Sequence, residues 1–305
     1  MKNQIYKCSV LMSTYNGDQY IAQQIDSILN QKNVHVNILI RDDGSTDNTT
    51  IILHDYENRY KNNISIIYGE NVGIHKSYAE LIESVLPDEY VAFSDQDDVW
   101  DCDKLLIAIN NLHNENASFY CSASRLVDNN LKSLHRTTAS LKKTNYYMKS
   151  SSKILTPGVQ GCTIVLTREL FNNSRINYPS IYGHDTWLTV VAFYSAKCYY
   201  DATPHMNYRQ HNNSWTGNRE NKVAQLKREY LFFIHGMCRY SDLADKIILQ
   251  CNNSLTNKNR ELLILLSKDK KNLSEKIKLI VYPGFHKYGI LQDLIFKLCI
   301  LNGKV

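Results

Sequence analysis

A chain of 305 residues with 43% hydrophobic content has room for one large domain with an appendage, or two modest domains, and for a sizeable core. Its net charge of +5 is unevenly placed: from Leu266 onward eight lysines stand against three acids, and the preceding residues balance at 27 basic and 27 acidic, which excludes a uniformly basic nucleic-acid binder. The eight cysteines are scattered singly without a CxxC pair, which argues against a zinc site or a disulfide scaffold and for reduced thiols in the cytoplasm. The first ten residues, MKNQIYKCSV, hold no signal-peptide core, and no apolar run reaches the roughly 18 residues that suggest a membrane span.

In chain order, Cys8 to Met12 reads as a strand, followed by a polar turn and a helix with Ile21, Ile25, Ile28 and Leu29 at helical spacing. A second strand, Val36 to Ile40, runs into DDGSTD, where Gly44 permits a tight turn and Thr46 or Asp47 can cap the next helix. A third strand, Ile64 to Tyr68, leads through ENVG into another helix. Strand, turn and helix three times over predict parallel βαβ units in an open α/β sheet, whose ligands sit outside the carboxyl ends of the strands. A fourth apolar run, Val91 to Phe93, ends in three carboxylates within four residues: Asp95, Asp97 and Asp98. Left uncompensated they repel one another; a divalent cation such as Mg²⁺ or Mn²⁺ carrying a phosphorylated ligand removes that repulsion. A polar turn capping a helix that starts near Asp101 is the competing reading.

Beyond Trp100 the pattern predicts a helix over Asp103 to Asn111 and an alternating strand over Phe119 to Val127. Residues 129–155 read as a long polar excursion beside the active face. GVQGCTIVLTREL gives a short strand and a helix start, GHDTWLTVVAFY another helix, and KCYYDATPHMNYRQH a strand running to a polar turn. From about Asn221 the chain reads as helical, ending in an amphipathic helix with Ile290, Leu291, Leu294, Ile295 and Leu298 on one face and Lys287, Asp293 and Lys297 off it.

The ordered set STYNG, DDGSTD, ENVG, SDQDD, GCT and HDTW, spanning roughly residues 8 to 215, resembles the inverting family 2 glycosyltransferases of the GT-A fold. SDQDDVW and YRQH look most like bacterial rhamnosyltransferases of surface-polysaccharide synthesis. The resemblance implies a Rossmann-like, largely parallel mixed α/β sheet in a catalytic domain over 1–220, with the nucleotide-sugar half about 1–100 and the acceptor half about 101–220. A C-terminal helical region follows over 221–305. It implies a nucleoside-diphosphate sugar donor (dTDP or UDP, with dTDP-L-rhamnose one choice), an acceptor that is a saccharide or a lipid-linked glycan, and a metal cofactor, Mg²⁺ or Mn²⁺. Thr14 and Tyr15 match the first nucleotide loop, with the Tyr15 ring packing on the base; Asp43 matches the acceptor of a base imide N–H, and Asn71 the pocket lining. Asp95 and Asp97 match the DxD pair, Asp97 ligating the metal and Asp95 nearer the sugar or ribose, while Asp98 caps or orients the next helix. Asp185 matches the general base, against the competing reading of a helix N-cap. His184 stands where many relatives have Glu and tunes or orients. Trp187 is an acceptor platform or a core residue, Gly161 and Cys162 admit close approach of the acceptor, and Arg209 and His211 are candidates for pyrophosphate contact or a further metal ligand.

The basic tail reads as docking on an anionic membrane at the inner face of the cell, against packing on the protein or forming a homodimer. A non-catalytic nucleotide-sugar-binding or scaffold subunit is the main competing function. A sugar nucleotidyltransferase lacks its Gly-rich basic loop here, and a dehydrogenase its GxGxxG turn.

Overall fold

The computed structural model describes residues 5–138, 159–176, 178–179, 182–210, 240–268, 270–283, 285 and 290–303. His211, Lys287, most of the 129–155 excursion and the stretch 211–239 lie outside the described residues, so the expectations placed on them are not addressed by the fold.

Strands β1 (Tyr6–Thr14), β2 (Val34–Asp42), β3 (Ile64–Tyr68) and β4 (Tyr90–Ser94) alternate with helices α1 (Ile21–Leu29), α2 (Thr49–Arg59) and α3 (Ile74–Ser84). The chain then continues through β5 (Val99–Trp100), α4 (Lys104–Asn114), β6 (Phe119–Ser122), β7 (Arg125–Val127), β8 (Ser133–Thr137), a 3-10 turn (Gly161–Thr163), β9 (Val165–Thr167), α5 (Arg168–Arg175), α6 (His184–Ser195), β10 (Cys198–Asp201) and β11 (Met206–Arg209). Seven strands form one sheet in the order β10-β6-β9-β4-β1-β2-β3, parallel throughout except for β9, which runs antiparallel to both β4 and β6. All five residues of β4 are buried, as a central parallel strand covered on both faces requires. Thr14 pairs with Asp42, Asp42 with Tyr68, and Met12 with Ser94, so the loops leaving these four strands emerge side by side.

The predicted βαβ units form as the apolar spacing demands: α1 buries Ile21, Ile25 and Ile28 against the sheet. Gly44 sits at φ +76, and an added Cβ would meet the backbone nitrogen of Asn71 at 3.0 Å, so the turn takes glycine on both counts. Helix α2 starts after Asn48, and Asp47 accepts the Thr49 amide at 3.0 Å. Two expectations are corrected. The stretch 119–127 is two strands, not one: β6 joins the main sheet and β7 a second sheet, β5-β11-β7-β8. In the same way KCYYDATPHMNYR divides into β10 in the first sheet and β11 in the second. Each run is broken where its chain leaves the main sheet's edge, a tertiary constraint that a two-residue period does not register.

The described residues divide into two compact units: those up to 210, except 193–195, form one, and those from 240 onward, with 193–195, form the other. The second holds helices α7 (Tyr240–Cys251), α8 (Asn257–Ser267), α9 (Leu273–Ile280) and α10 (Ile290–Leu301). Helix α10 buries Phe296, Cys299 and Ile300 and leaves Leu294 and Leu298 exposed, so this segment packs on the protein with one face and presents a second apolar face outward.

Lys104 opens α4 inside the core, 1% exposed, with its ammonium 3.6 Å from the centre of the Trp100 ring and no hydrogen-bond partner. Burial lowers its pKa to about 8, against the raising influence of Cys162, Cys8, Asp98 and Asp101. The unfolded chain keeps this proton up to the ordinary value of 10.5, so between about 8 and 10.5 the unfolded state binds more protons and stability rises with pH. Lys104→Met is therefore expected to stabilise the protein at pH 7 by on the order of 2 kcal/mol. Urea titrations across a pH series should show the gap closing as pH climbs from 8 towards 10.5; a gap independent of pH would contradict a charged Lys104.

Candidate active site

The loops at the carboxyl ends of β1 and β4 meet through one side chain, Gln96, the middle residue of Asp95-Gln96-Asp97. Its amide accepts from the Thr14 hydroxyl at 2.5 Å and from the Tyr15 backbone N–H at 2.9 Å, and donates to the Tyr15 carbonyl at 3.1 Å. It also lies in close contact with Gly17. The first loop and the acidic loop are thus held together, with Thr14 buried and the Tyr15 ring 45% exposed. Sequence reasoning passed over Gln96; its place between two matched acids was the available signal.

Asp42 and Asp43 divide their duties. Asp42 accepts the Ser45 amide at 3.0 Å and its hydroxyl at 2.6 Å, which shapes the DDGS turn. Asp43 is buried, pairs with Arg41 at 2.5 Å, and accepts the Val72 and Gly73 amides, each at 2.9 Å. Arg41 also pairs with Glu80 at 2.5 Å and donates to the Glu70 carbonyl at 3.2 Å. Both Asp43 oxygens are therefore engaged in anchoring the ENVG loop, which departs from the expectation that this carboxylate is offered to a base. Asn71 itself is exposed on that anchored loop.

The acids after β4 face different surroundings. Asp95 and Asp97 are partly buried, and Asp98 is 0% exposed. Burial, then the neighbouring Asp97 and Asp185, push the Asp95 carboxyl up to about 7, with a hydrogen bond from Cys162 opposing. Asp98 is raised well above the usual carboxylate range by burial and by Asp95 and Asp97. It caps no helix: β5 follows it, it accepts the Arg209 backbone N–H at 3.2 Å, and its Oδ2 has no hydrogen-bond partner. This corrects the capping role.

Among the described residues, Asp95, Asp98 and Cys162 bring their ligand atoms within 4.8 Å of one another; Asp97 is not part of that group. The raised carboxyl of Asp95 and the orphaned oxygen of Asp98 fit a site built to receive a cation. The donor chemistry then discriminates: Asp95 and Asp97 offer hard oxygens from the partly exposed side, whereas the Cys162 thiol is buried, soft, and held protonated by its burial. Cys162 is buried beside Asp95 and Asp98.

Arg209 is 2% exposed and its guanidinium lies 4.4 Å from the centre of the Tyr20 ring. It donates to the Asp97 carbonyl at 2.7 Å, to Gln23 Oε1 at 2.8 Å and to the Asn129 carbonyl. Instead of waiting for a pyrophosphate, it braces the acidic loop from β11. Trp187 is fully buried and donates its indole N–H to the Ser174 carbonyl at 2.7 Å, so it is a core residue and no acceptor platform.

Asp185 lies in the first turn of α6, after Gly183 at the N-cap, so the capping alternative does not describe it; its Oδ1 accepts the Thr186 amide at 2.6 Å. Its charge raises the Asp95 carboxyl and the Tyr78 and Tyr178 hydroxyls, so it lies near the acidic loop. His184 is buried between Tyr78 and Phe93, with ring centroids 3.7 and 5.0 Å away. Burial lowers its pKa to about 4, and its Nε2 has no hydrogen-bond partner. A Cβ on Gly161 would collide with that ring, so the close approach that Gly161 admits is by His184 rather than by an acceptor.

The description "Glycosyl transferase family 2" matches residues 9–175. The dTDP-rhamnosyl transferase RfbG of Shigella flexneri is 33% identical over 223 residues, covering 71% of this chain and 77% of that protein. The Escherichia coli protein WfgD, a UDP-Glc:alpha-D-GlcNAc-diphosphoundecaprenol beta-1,3-glucosyltransferase, is 26% identical over 228 residues, covering 74% and 84%. The crystal structure of S. aureus TarS 1-349 in complex with UDP superposes with a TM-score of 0.56 at 17% identity, covering 98% of this chain and 89% of that one, a likeness of fold. With the DxD, GCT and HDTW motifs gathered at the ends of one largely parallel sheet, the chain belongs to glycosyl transferase family 2.

Proposed function

We propose that the protein is a metal-dependent inverting glycosyltransferase that moves a sugar, with L-rhamnose the leading choice, from a nucleoside-diphosphate donor to a surface-polysaccharide acceptor, lipid-linked or growing. The observation that supports this reading is the nearness of Asp185 to Asp95, whose carboxyl it helps to raise, as a base working against a leaving group held at the acidic loop would be. Inversion needs one in-line attack, hence one base on the face away from the departing diphosphate. The acceptor hydroxyl gives its proton to Asp185 while its oxygen bonds to the anomeric carbon, and the bond to the diphosphate oxygen breaks through an oxocarbenium-like transition state. Asp97, with Asp95, would hold the divalent cation, which when bound neutralises charge on the departing diphosphate. Tyr15, exposed on its braced loop, offers a flat ring to the base, and Asn71 lines the same pocket. The 33% identical relative is named for dTDP-rhamnose, which supports rhamnose as the donor sugar.

The acceptor side of the reading includes an anionic membrane surface. No described helix is long and apolar enough to cross a membrane. Helix α9 and the residue that follows it leave Leu273, Ile277 and Val281 exposed at a four-residue spacing, and α10 leaves Leu294, Leu298 and Leu301 exposed. Lysines 270, 271, 276 and 278 accompany the first stripe. An apolar stripe edged by lysines is the pattern of a helix lying in a lipid interface.

Calorimetry with dTDP and UDP, each with and without Mn²⁺, should show metal-dependent binding that Asp97→Ala removes. Asp185→Asn should retain that binding and lose transfer by at least about 100-fold. Undiminished turnover in the Asp185 variant would remove Asp185 as the base, whereas nucleotide binding with no transfer by the unaltered protein would favour the scaffold reading. Co-sedimentation with phosphatidylglycerol vesicles should fall when Leu294 and Leu298 are both changed to Glu, with calorimetric nucleotide binding unchanged; equal sedimentation would leave the stripe to protein packing.

A further inference from the structure

Two imidazoles stand beside Asp185, and they differ in what they can do. His184 is buried between aromatic rings and stays neutral. His75, the second residue of α3, is exposed. A Cβ placed on Gly183 would lie 2.5 Å from Asp185 Oδ1 and 3.3 and 3.5 Å from His75 Cε1 and Nδ1. Imidazole and carboxylate therefore border the same space beside Gly183, close to one another without a direct hydrogen bond.

The placement of His75 is anchored from three sides. Asp43 takes the Val72 and Gly73 amides immediately before the helix, the Ser77 hydroxyl meets that of Ser13 at 2.6 Å, and Tyr78 donates to the Ser94 carbonyl at 2.9 Å. The first turn of α3 is thus tied to the ends of β1, β2 and β4. Of the other groups around Asp185, Asp95 belongs to the candidate cation site, and burial keeps the Tyr78 and Tyr178 hydroxyls protonated.

We infer that His75 acts through Asp185 as a proton relay: across a bridging water it receives the proton that Asp185 takes from the acceptor hydroxyl, and it passes that proton to solvent. This rests on the reading of Asp185 as the base. The proton leaves the acceptor oxygen as the glycosidic bond forms, and the electron pair of the broken anomeric bond leaves with the nucleoside diphosphate. Asp185 then gives the proton to a bridging water as that water gives one to an imidazole nitrogen, and the imidazolium releases its proton to solvent, restoring all three. An imidazole suits this because one ring nitrogen can accept a proton while the other donates one.

The test uses the full chain with Mn²⁺ and follows dTDP release from dTDP-L-rhamnose, water serving as acceptor. His75→Ala is expected to lower kcat at least about tenfold with KM changed far less, and added imidazole should restore the rate in a saturable manner. His75→Gln, able to hydrogen-bond but not to carry the proton, should remain slow. Independently of turnover, the ring proton resonance of His75, assigned by its loss in His75→Gln, should move when Asp185 is replaced by Asn. Wild-type kcat in His75→Ala, full activity in His75→Gln, a slow His75→Ala unmoved by imidazole, or a ring resonance indifferent to Asp185→Asn would each overturn the relay. In the first three cases an inactive Asp185→Asn would leave the base reading standing; an active one would remove both.

Discussion

The constraint on which this site depends is the crowding of negative charge after β4. Three carboxylates in four residues, at the end of a strand buried on both faces, cannot all be ionised without compensation. The fold answers by giving them different surroundings. Asp98 is turned inward, where burial holds its proton and the Arg209 amide takes one oxygen. Asp95 and Asp97 stay at the rim. Arg209 braces the loop through the Asp97 carbonyl, using its charge inside the protein instead of at the substrate. The second sheet serves the same end: β5 follows the acids directly and is clamped by β11, so the loop is fixed at both ends.

What could be read without the structure was whatever depended on neighbours in the chain. The βαβ units were legible because Ile21, Ile25 and Ile28 recur at helical spacing and Val91 to Phe93 form an uninterrupted apolar run. The motif loops fell at strand ends because such sheets place them there. The division of 119–127 between two sheets was not legible, since a pleat looks the same whichever partner it pairs with. The roles of Arg209 and Trp187 stay open in the sequence for a related reason: an arginine after a strand and a tryptophan after an acid look like ligand groups until their burial is known. Arg41, Gln96 and His75 went unnoticed because their partners, or the groups they face, lie elsewhere in the chain, as Thr14 and Tyr15 do for Gln96.

The likeness to family relatives and the local chemistry meet at different depths. Membership rests on a match over residues 9–175 and on the 33% identical relative, and it carries the fold. The individual side chains are this chain's own. The imidazole of His184 fits into the space left by Gly161 and between two aromatic rings, an arrangement in which a charged side chain would be costly.

The three hydrogen bonds of Gln96 to Thr14 and Tyr15 have a thermodynamic corollary. They make the loop that bears the Tyr15 ring and the loop that bears the acids a single mechanical element. A ligand that orders one loop spends part of its free energy ordering the other, and a second ligand then finds that ordering already done. The coupling is reciprocal: whatever factor a cation adds to nucleotide affinity, the nucleotide returns to the cation. A single neutral amide between two acids is thus where the two affinities become one quantity.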